Sequence, residues 1–214
     1  VVSAMGGMTD ALINLAVLAE RDDDAYNAEL DAVGERYAAT ARELLEGDSL
    51  VGVLDAWSAD AADIRDVLKA VALVKSAPQR SRDVVAGYGE IWSARLLAAY
   101  LGQEAPERGG VWVDARRILI VRETELGPTV LWEASQAKFD DALARDFEGI
   151  AVITGFIATD EDGLQTTLGR NGSDYSAAIT SLLLIDRVEA RHQEMRRWLG
   201  QRLEFEPRRR ADVD

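Results

Sequence analysis

The chain has 214 residues, 48% apolar and 7% aromatic, enough for one globular domain with a sizeable core, which excludes a disordered chain. A net charge of −14 sets it against nucleic acid and anionic membrane surfaces. It has no cysteine and one histidine, His192, which excludes disulfides, thiolate metal sites and multi-histidine metal sites, and no apolar run approaches membrane-spanning length.

In chain order, Val1, Val2 and Ser3 read as the end of a buried strand rather than a native start, which predicts further chain upstream. No signal peptide is visible, so a cytoplasmic location is expected. After the turn AMGG, Thr9 or Asp10 is placed to cap a helix through ALINLAVLAE. RDDDAY is an acidic turn. Residues 25–45 then form an amphipathic helix with Tyr26, Leu30, Val33, Tyr37 and Leu44 on one side, and GDS breaks it. Residues 50–74 read as one long helix or two. SAPQRS interrupts, because Pro78 disfavours helix at the residue before it. Helix returns over 82–100.

The character changes after Gly102. VWVDA and ILIV are short strands, 129–132 is a third, 135–145 is a helix, and AVITGFI is the clearest strand. An α-rich first half thus precedes a β/α second half, which fits one α/β domain with an extended helical segment. The end differs in charge: residues 187–214 are net +2, while 1–186 are net −16. This marks a boundary. Two readings of this tail weigh equally: the compositional mismatch suits a misjoined reading frame, and the helical spacing of Met195, Trp198, Leu199 and Leu203 suits an amphipathic helix seeking a partner surface.

Three segments can carry chemistry. SAMGGMTD, 3–10, is a strand, a small-residue turn and a helix start; its glycines permit positive φ and expose amides. Taken alone, it reads better as a tight β–α connection capped by Thr9. GYGEIWSARLL, 87–97, puts Glu90 just inside a helix after two glycines, where the helix dipole alone accounts for a carboxylate; a grip on a ligand ammonium is the functional alternative. TTLGRNGSDYS, 166–176, crowds Thr167, Arg170, Ser173 and Asp174 at one Gly-rich loop-to-helix junction. Capping needs one such residue. Here an anion site is favoured, built from helix N–H groups and a guanidinium fork. There is no Walker A sequence, no GxSxG and no GxGxxG, and no Cys or Ser–His nucleophile is supported. Two Gly-rich loops without a nucleophile suit phosphoryl transfer, which depends on positioning and charge neutralisation.

Together these segments resemble the kinase domain of aspartokinases in the amino-acid kinase family. VVSAMGGMTDALI (1–13), GYGEIWSARLL (87–97) and VITGFIATDEDGLQTTLGRNGSDYSAAI (152–179) match that family's motifs in order. RDDDAY and the GRNGSD spelling are similar to bifunctional aspartokinase–homoserine dehydrogenases. The resemblance implies an α/β three-layer αβα sandwich of the carbamate kinase-like type and ATP- and Mg2+-dependent phosphorylation of the L-aspartate side-chain carboxylate. That reaction enters lysine, threonine and methionine biosynthesis.

Carried onto this sequence, the resemblance places Ser3, Ala4, Gly6 and Gly7 near the transferred phosphoryl, and Thr9 against the substrate. Glu90 would hold the substrate α-ammonium and Arg170 its α-carboxylate. Thr167, Gly169, Asn171, Gly172 and Ser173 would line the pocket, and Asp174 would orient the reacting centre. No metal ligand is assigned. A homo-oligomer and a fused homoserine dehydrogenase are implied as partners. Two departures stand out. The family's KFGG[TS]S segment, whose Lys neutralises phosphate charge, is absent, and after Leu184 its WTDVDG-type nucleotide segment finds no match. The expectation is therefore a partial aspartokinase catalytic domain at 1–186, impaired in phosphoryl transfer, followed by an Arg-rich helical tail at 187–214. The rival is a non-catalytic module that binds aspartate or pairs with a complete subunit.

Overall fold

The computed structural model describes residues 1–125, 127–169 and 171–203. Four helices come first: α1 (Met8–Glu20), α2 (Ala25–Leu44), α3 (Gly47–Val74) and α4 (Gln79–Glu104). Then follow β1 (Gly110–Val113), a 3-10 turn at Ala115–Arg117, β2 (Ile120–Thr124), β3 (Gly127–Val130) and α5 (Trp132–Ala142). The chain continues through β4 (Ile150–Ile153), β5 (Ile157–Asp160), β6 (Gln165–Thr167) and α6 (Gly172–Leu203).

The strands form two small sheets. In the first, β4 pairs in parallel with β1, in the register Gly110 to Ile150, and its other edge takes Val2 as a parallel bridge to Thr154. In the second, the order is β3-β2-β5-β6, with two antiparallel hairpins joined by the parallel pair β2–β5. α4 packs on β1, β4 and β6, and α1, α2 and α3 pack on it and on each other; α5 packs on β2 and α6 on β5. This is the expected α/β layering of helices, sheet and helices. One core joins the layers, with Leu12, Leu68, Trp92, Ile118 and Ile157 fully buried in it.

Several local expectations are corrected. α1 begins at Met8, so neither Thr9 nor Asp10 caps it; Gly7 does, at φ +73°, with no side-chain cap. Tyr26, Leu30, Val33 and Tyr37 are buried as expected on α2, but Leu44 is 37% exposed and Leu45 is the buried one at 1%. The helix ends at Leu44, and the extended backbone at Leu45 turns that side chain inward. GDS does not break the helical run; Gly47 and Asp48 open α3, and the break falls at Leu45 and Glu46. The run AVITGFI is two strands in different sheets, because Phe156 takes φ +68° between them. Trp132 starts α5 instead of ending a strand, and β6 is an additional strand.

α6 runs unbroken through the charge boundary at 186/187. Arg170, the side chains of Met195, Trp198, Leu199 and Leu203, and residues 204–214 lie outside the described residues.

Candidate active site

The parallel pairing of Val2 with β4 brings three distant segments together. Val2 N donates to Ile153 O (2.9 Å) and Gly155 N to Val2 O (2.8 Å). Gly155 is where the approach is tightest: a Cβ there would sit 2.8 Å from both Val2 O and Ser173 Oγ. Beside it, Ser173 Oγ on α6 bonds Ser3 Oγ at 3.1 Å. Ser176 Oγ accepts from Phe156 N (2.9 Å) and donates to Gly172 O (2.9 Å), fixing the start of α6 against the turn between β4 and β5. Ser173 and Asp174 therefore lie in the first turn of α6, where the helix dipole favours an anionic side chain or ligand.

A cleft of about 700 Å³ opens at this junction. Among the residues predicted from sequence, it is lined by Ser3, Thr9, Glu90, Thr167, Gly169, Asn171, Gly172, Ser173 and Asp174. Ala4 stands outside the lining, and its backbone N–H acts on Glu90 by holding the carboxyl down. Gly6 and Gly7 stand outside the lining, on an exposed turn whose Gly6 carbonyl accepts from Arg36. Arg170 is outside the described residues.

Glu90 dominates the electrostatics. It is not near a helix start: α4 begins eleven residues earlier, so the helix dipole does not account for it. Its side chain is 3% exposed, and Oε2 has no hydrogen-bond partner. Burial pushes its carboxyl up to about 7, against the backbone N–H groups of Glu90 itself and Ala4, which pull it down. A buried carboxylate oxygen without a donor is costly unless a ligand supplies one. A ligand ammonium would do so.

The α4 face contributes more than Glu90. Gln79, Arg82, Asp83 and Ala86 also line the cleft, at helical spacing back from Glu90. That spacing is the signal by which sequence reasoning could have found them. Arg82 is committed elsewhere, to Glu20 Oε2 (3.0 Å) and Ala77 O (2.9 Å). Asp83 accepts from Gln79 Nε2 (2.9 Å); burial pushes its carboxyl up, with Glu123 adding to the rise and Gln79 and the neighbouring Thr167 holding it back. Phe156 and Ile13 supply the apolar part of the lining.

A larger cleft of about 1100 Å³ lies between Trp112, the 3-10 turn, α5 and the end of β5. Its buried polar groups are already satisfied: Asp114 holds Arg116, and the Thr159 hydroxyl donates to Arg116 O. The chemistry belongs with the Glu90 cleft, where a buried acceptor is open.

Residues 1–184 match the family described as "Amino acid kinase family". The chain is 37% identical over 187 residues to the Arabidopsis thaliana bifunctional aspartokinase/homoserine dehydrogenase 2, chloroplastic, covering 86% of this chain and 20% of that protein. It is 34% identical over 193 residues to the Escherichia coli bifunctional aspartokinase/homoserine dehydrogenase 2, covering 88% and 22%. The chain thus spans about a fifth of the length of these curated relatives. Its fold is similar to E. coli aspartokinase III in complex with aspartate and ADP, with a TM-score of 0.73 at 24% identity, over 86% of this chain and 39% of that one. With the family match running through all three motifs and most of its length, the chain belongs to the amino acid kinase family.

Proposed function

We propose that this chain carries the amino-acid half of an aspartokinase active site, in which the side-chain carboxylate of L-aspartate attacks the γ-phosphorus of ATP to give 4-phospho-L-aspartate and ADP. The observation that carries the reading is Glu90, a buried carboxylate with one unpartnered oxygen, which lines a cleft together with Ser3, Thr9, Thr167 and the start of α6. It would take the substrate α-ammonium. Arg170 would take the α-carboxylate. Thr9, Thr167, Gly169, Asn171, Gly172 and Ser173 would hold the substrate in one orientation, which for phosphoryl transfer is a large share of catalysis. Asp174 would orient the reacting centre from the first turn of α6.

The nucleotide side is supported by fewer residues. The turn at Gly6 has no heavy atom within 4 Å of a built Cβ, so phosphate oxygens can approach its backbone beside Ser3 and Ala4. Among the described residues, no group of three His, Cys, Asp or Glu is arranged to hold a metal ion. Mg2+ would come with the nucleotide, held by phosphates and few protein groups, and would neutralise their charge. The same reading makes 1–186 the kinase part and 187–214 an addition to it. It places the protein in the cytoplasm, in lysine, threonine and methionine biosynthesis, as a homo-oligomer or fused to homoserine dehydrogenase.

The direct test is trapping of aspartyl phosphate with hydroxylamine from ATP and aspartate, using this chain extended upstream. Hydroxamate formation lost in Glu90→Gln supports the reading; none from the extended wild-type protein overturns the kinase assignment. Aspartate binding without turnover would leave a binding module.

A further inference from the structure

Gln165 on β6 lines the larger cleft and stands outside the lining of the Glu90 cleft, and neither the motifs nor the substrate contacts above give it a role. Its amide reaches α4: Nε2 donates to Asp83 O (3.2 Å) and Val84 O (3.4 Å). A backbone carbonyl has two lone pairs, so one inside a helix can still accept a second bond. The approach is open only because residue 87 is glycine; a Cβ there would sit 2.6 Å from Gln165 Nε2.

The amide is held in one orientation from its other end. Arg116 Nη1 donates to Gln165 Oε1 (3.0 Å), and Asp114 fixes the guanidinium through Nε (3.0 Å) and Nη2 (2.6 Å). A guanidinium has donors only, so the amide turns its oxygen to Arg116 and its NH2 to α4. Reversed, it would set oxygen against two carbonyls and NH2 against a cation. The consequence is spacing. α4 brings Asp83, Ala86 and Glu90 to the amino-acid cleft, and β6 brings Thr167, two residues on from Gln165 and so on the same face of the strand. Gln165 is a polar tie between these two walls.

We propose that Gln165, oriented by Arg116, is a positioning residue for the amino-acid ligand, setting the distance between the α4 wall and the β6 wall of the Glu90 cleft. This rests on the aspartate reading of the same cleft. Calorimetric titration of L-aspartate tests it in the wild-type chain, Gln165→Ala, Gln165→Glu, Arg116→Lys and the Arg116→Lys/Gln165→Ala double variant. Each is titrated well below its own melting temperature, which is measured alongside. Gln165→Glu is the decisive variant. It keeps the length of the side chain and gives Arg116 a charged acceptor, but it turns a carboxylate oxygen on the two helix carbonyls. It should weaken aspartate about 10-fold, the range of one hydrogen bond, and melt above Gln165→Ala. Gln165→Ala should melt about 2–4 °C below wild type yet lose less affinity than Gln165→Glu, since nothing then pushes the walls apart. Arg116→Lys should weaken aspartate in the wild-type background and add nothing in Gln165→Ala, since the two act as one unit. Wild-type affinity in Gln165→Glu overturns the proposal. So does affinity that falls in step with melting temperature across the variants, the mark of a merely structural tie, and so does a full further loss in the double variant. A wild-type chain that binds no aspartate overturns this proposal and the aspartate reading together; the other three overturn this one alone.

Discussion

Glu90 sits in the middle of α4, where burial raises its carboxyl from an ordinary 4.5 to about 7, and the two backbone N–H groups that reach it offset only part of that. Between those two values the folded chain keeps a proton that the unfolded chain has released. Stability from this group is therefore full below about 4.5 and is lost as pH rises through about 7. At ~1.4 kcal/mol per pH unit, the loss is about 3 kcal/mol. Glu90→Gln carries no charge at any pH. It should raise the melting temperature by several degrees at pH 8 and hardly change it at pH 4.5. Equal shifts at both values would mean that burial of the charge is not the source. The same proton governs binding. An α-ammonium pairs with the ionised carboxylate, so aspartate affinity should fall on acidification below about 7, approaching roughly tenfold per pH unit. Titrations from pH 8 to 5.5 check this, with a flat, weak profile expected for Glu90→Gln.

At the scale of elements, the hinge between β4 and β5 makes the site. Thr154, Gly155 and Phe156 look like strand continuation, yet the chain leaves one sheet and enters the other there. Phe156 is held at φ +68° because its N–H is taken by Ser176 from α6. Nothing local in the sequence encodes that, and so AVITGFI reads as a single strand. The cleft face of α4 needed the fold for a related reason: Gln79, Arg82 and Asp83 precede Glu90 at helical spacing but look like an ordinary solvated first turn until α4 packs on β6 and brings them beside Thr167 and the start of α6. The TTLGRNGSDYS junction and the AMGG turn were legible because glycines and caps act within a few residues. Gly155→Ala tests the hinge. Its Cβ would meet Ser173 Oγ and the Val2 carbonyl at 2.8 Å, and the latter is backbone that cannot rotate away. A loss of about 2–3 kcal/mol in urea unfolding is expected, with weakened aspartate binding. Gly6→Ala, which meets nothing within 4 Å, should leave stability nearly unchanged and serves as the control.

At the scale of the whole molecule, the helical layer is tied to the sheets by a chain of polar side chains that crosses the core. Asp60 on α3 accepts from Trp92 Nε1 (3.0 Å) and pairs with Arg95, both on α4. The Arg95 guanidinium lies 4.4 Å from the Trp112 ring centroid on β1, and Trp112 Nε1 donates to Thr154 Oγ1 (2.9 Å) next to the hinge. Burial pushes the Asp60 carboxyl up, while Arg95 and the Trp92 bond pull it back. The side chains of Asp60 and Arg95 are only 13% and 19% exposed, so removing one partner strands the other. Asp60→Ala leaves a guanidinium without its counterion and an indole N–H without its acceptor. Breaking such a pair costs about 3 kcal/mol or more, which for a chain of this length is on the order of 10 °C in melting temperature. Asp60→Leu combined with Arg95→Met should lose less than Asp60→Ala alone. It removes both charges and keeps an apolar stem on Trp112, and an apolar replacement avoids the desolvation that the pair must overcome. Calorimetric melting of the variants decides the point: a drop under about 2 °C in Asp60→Ala would mean the pair is no anchor. Aspartate affinity measured well below each melting temperature should stay near wild type, because the chain of contacts ends at Thr154 and reaches the cleft only through the backbone at Gly155.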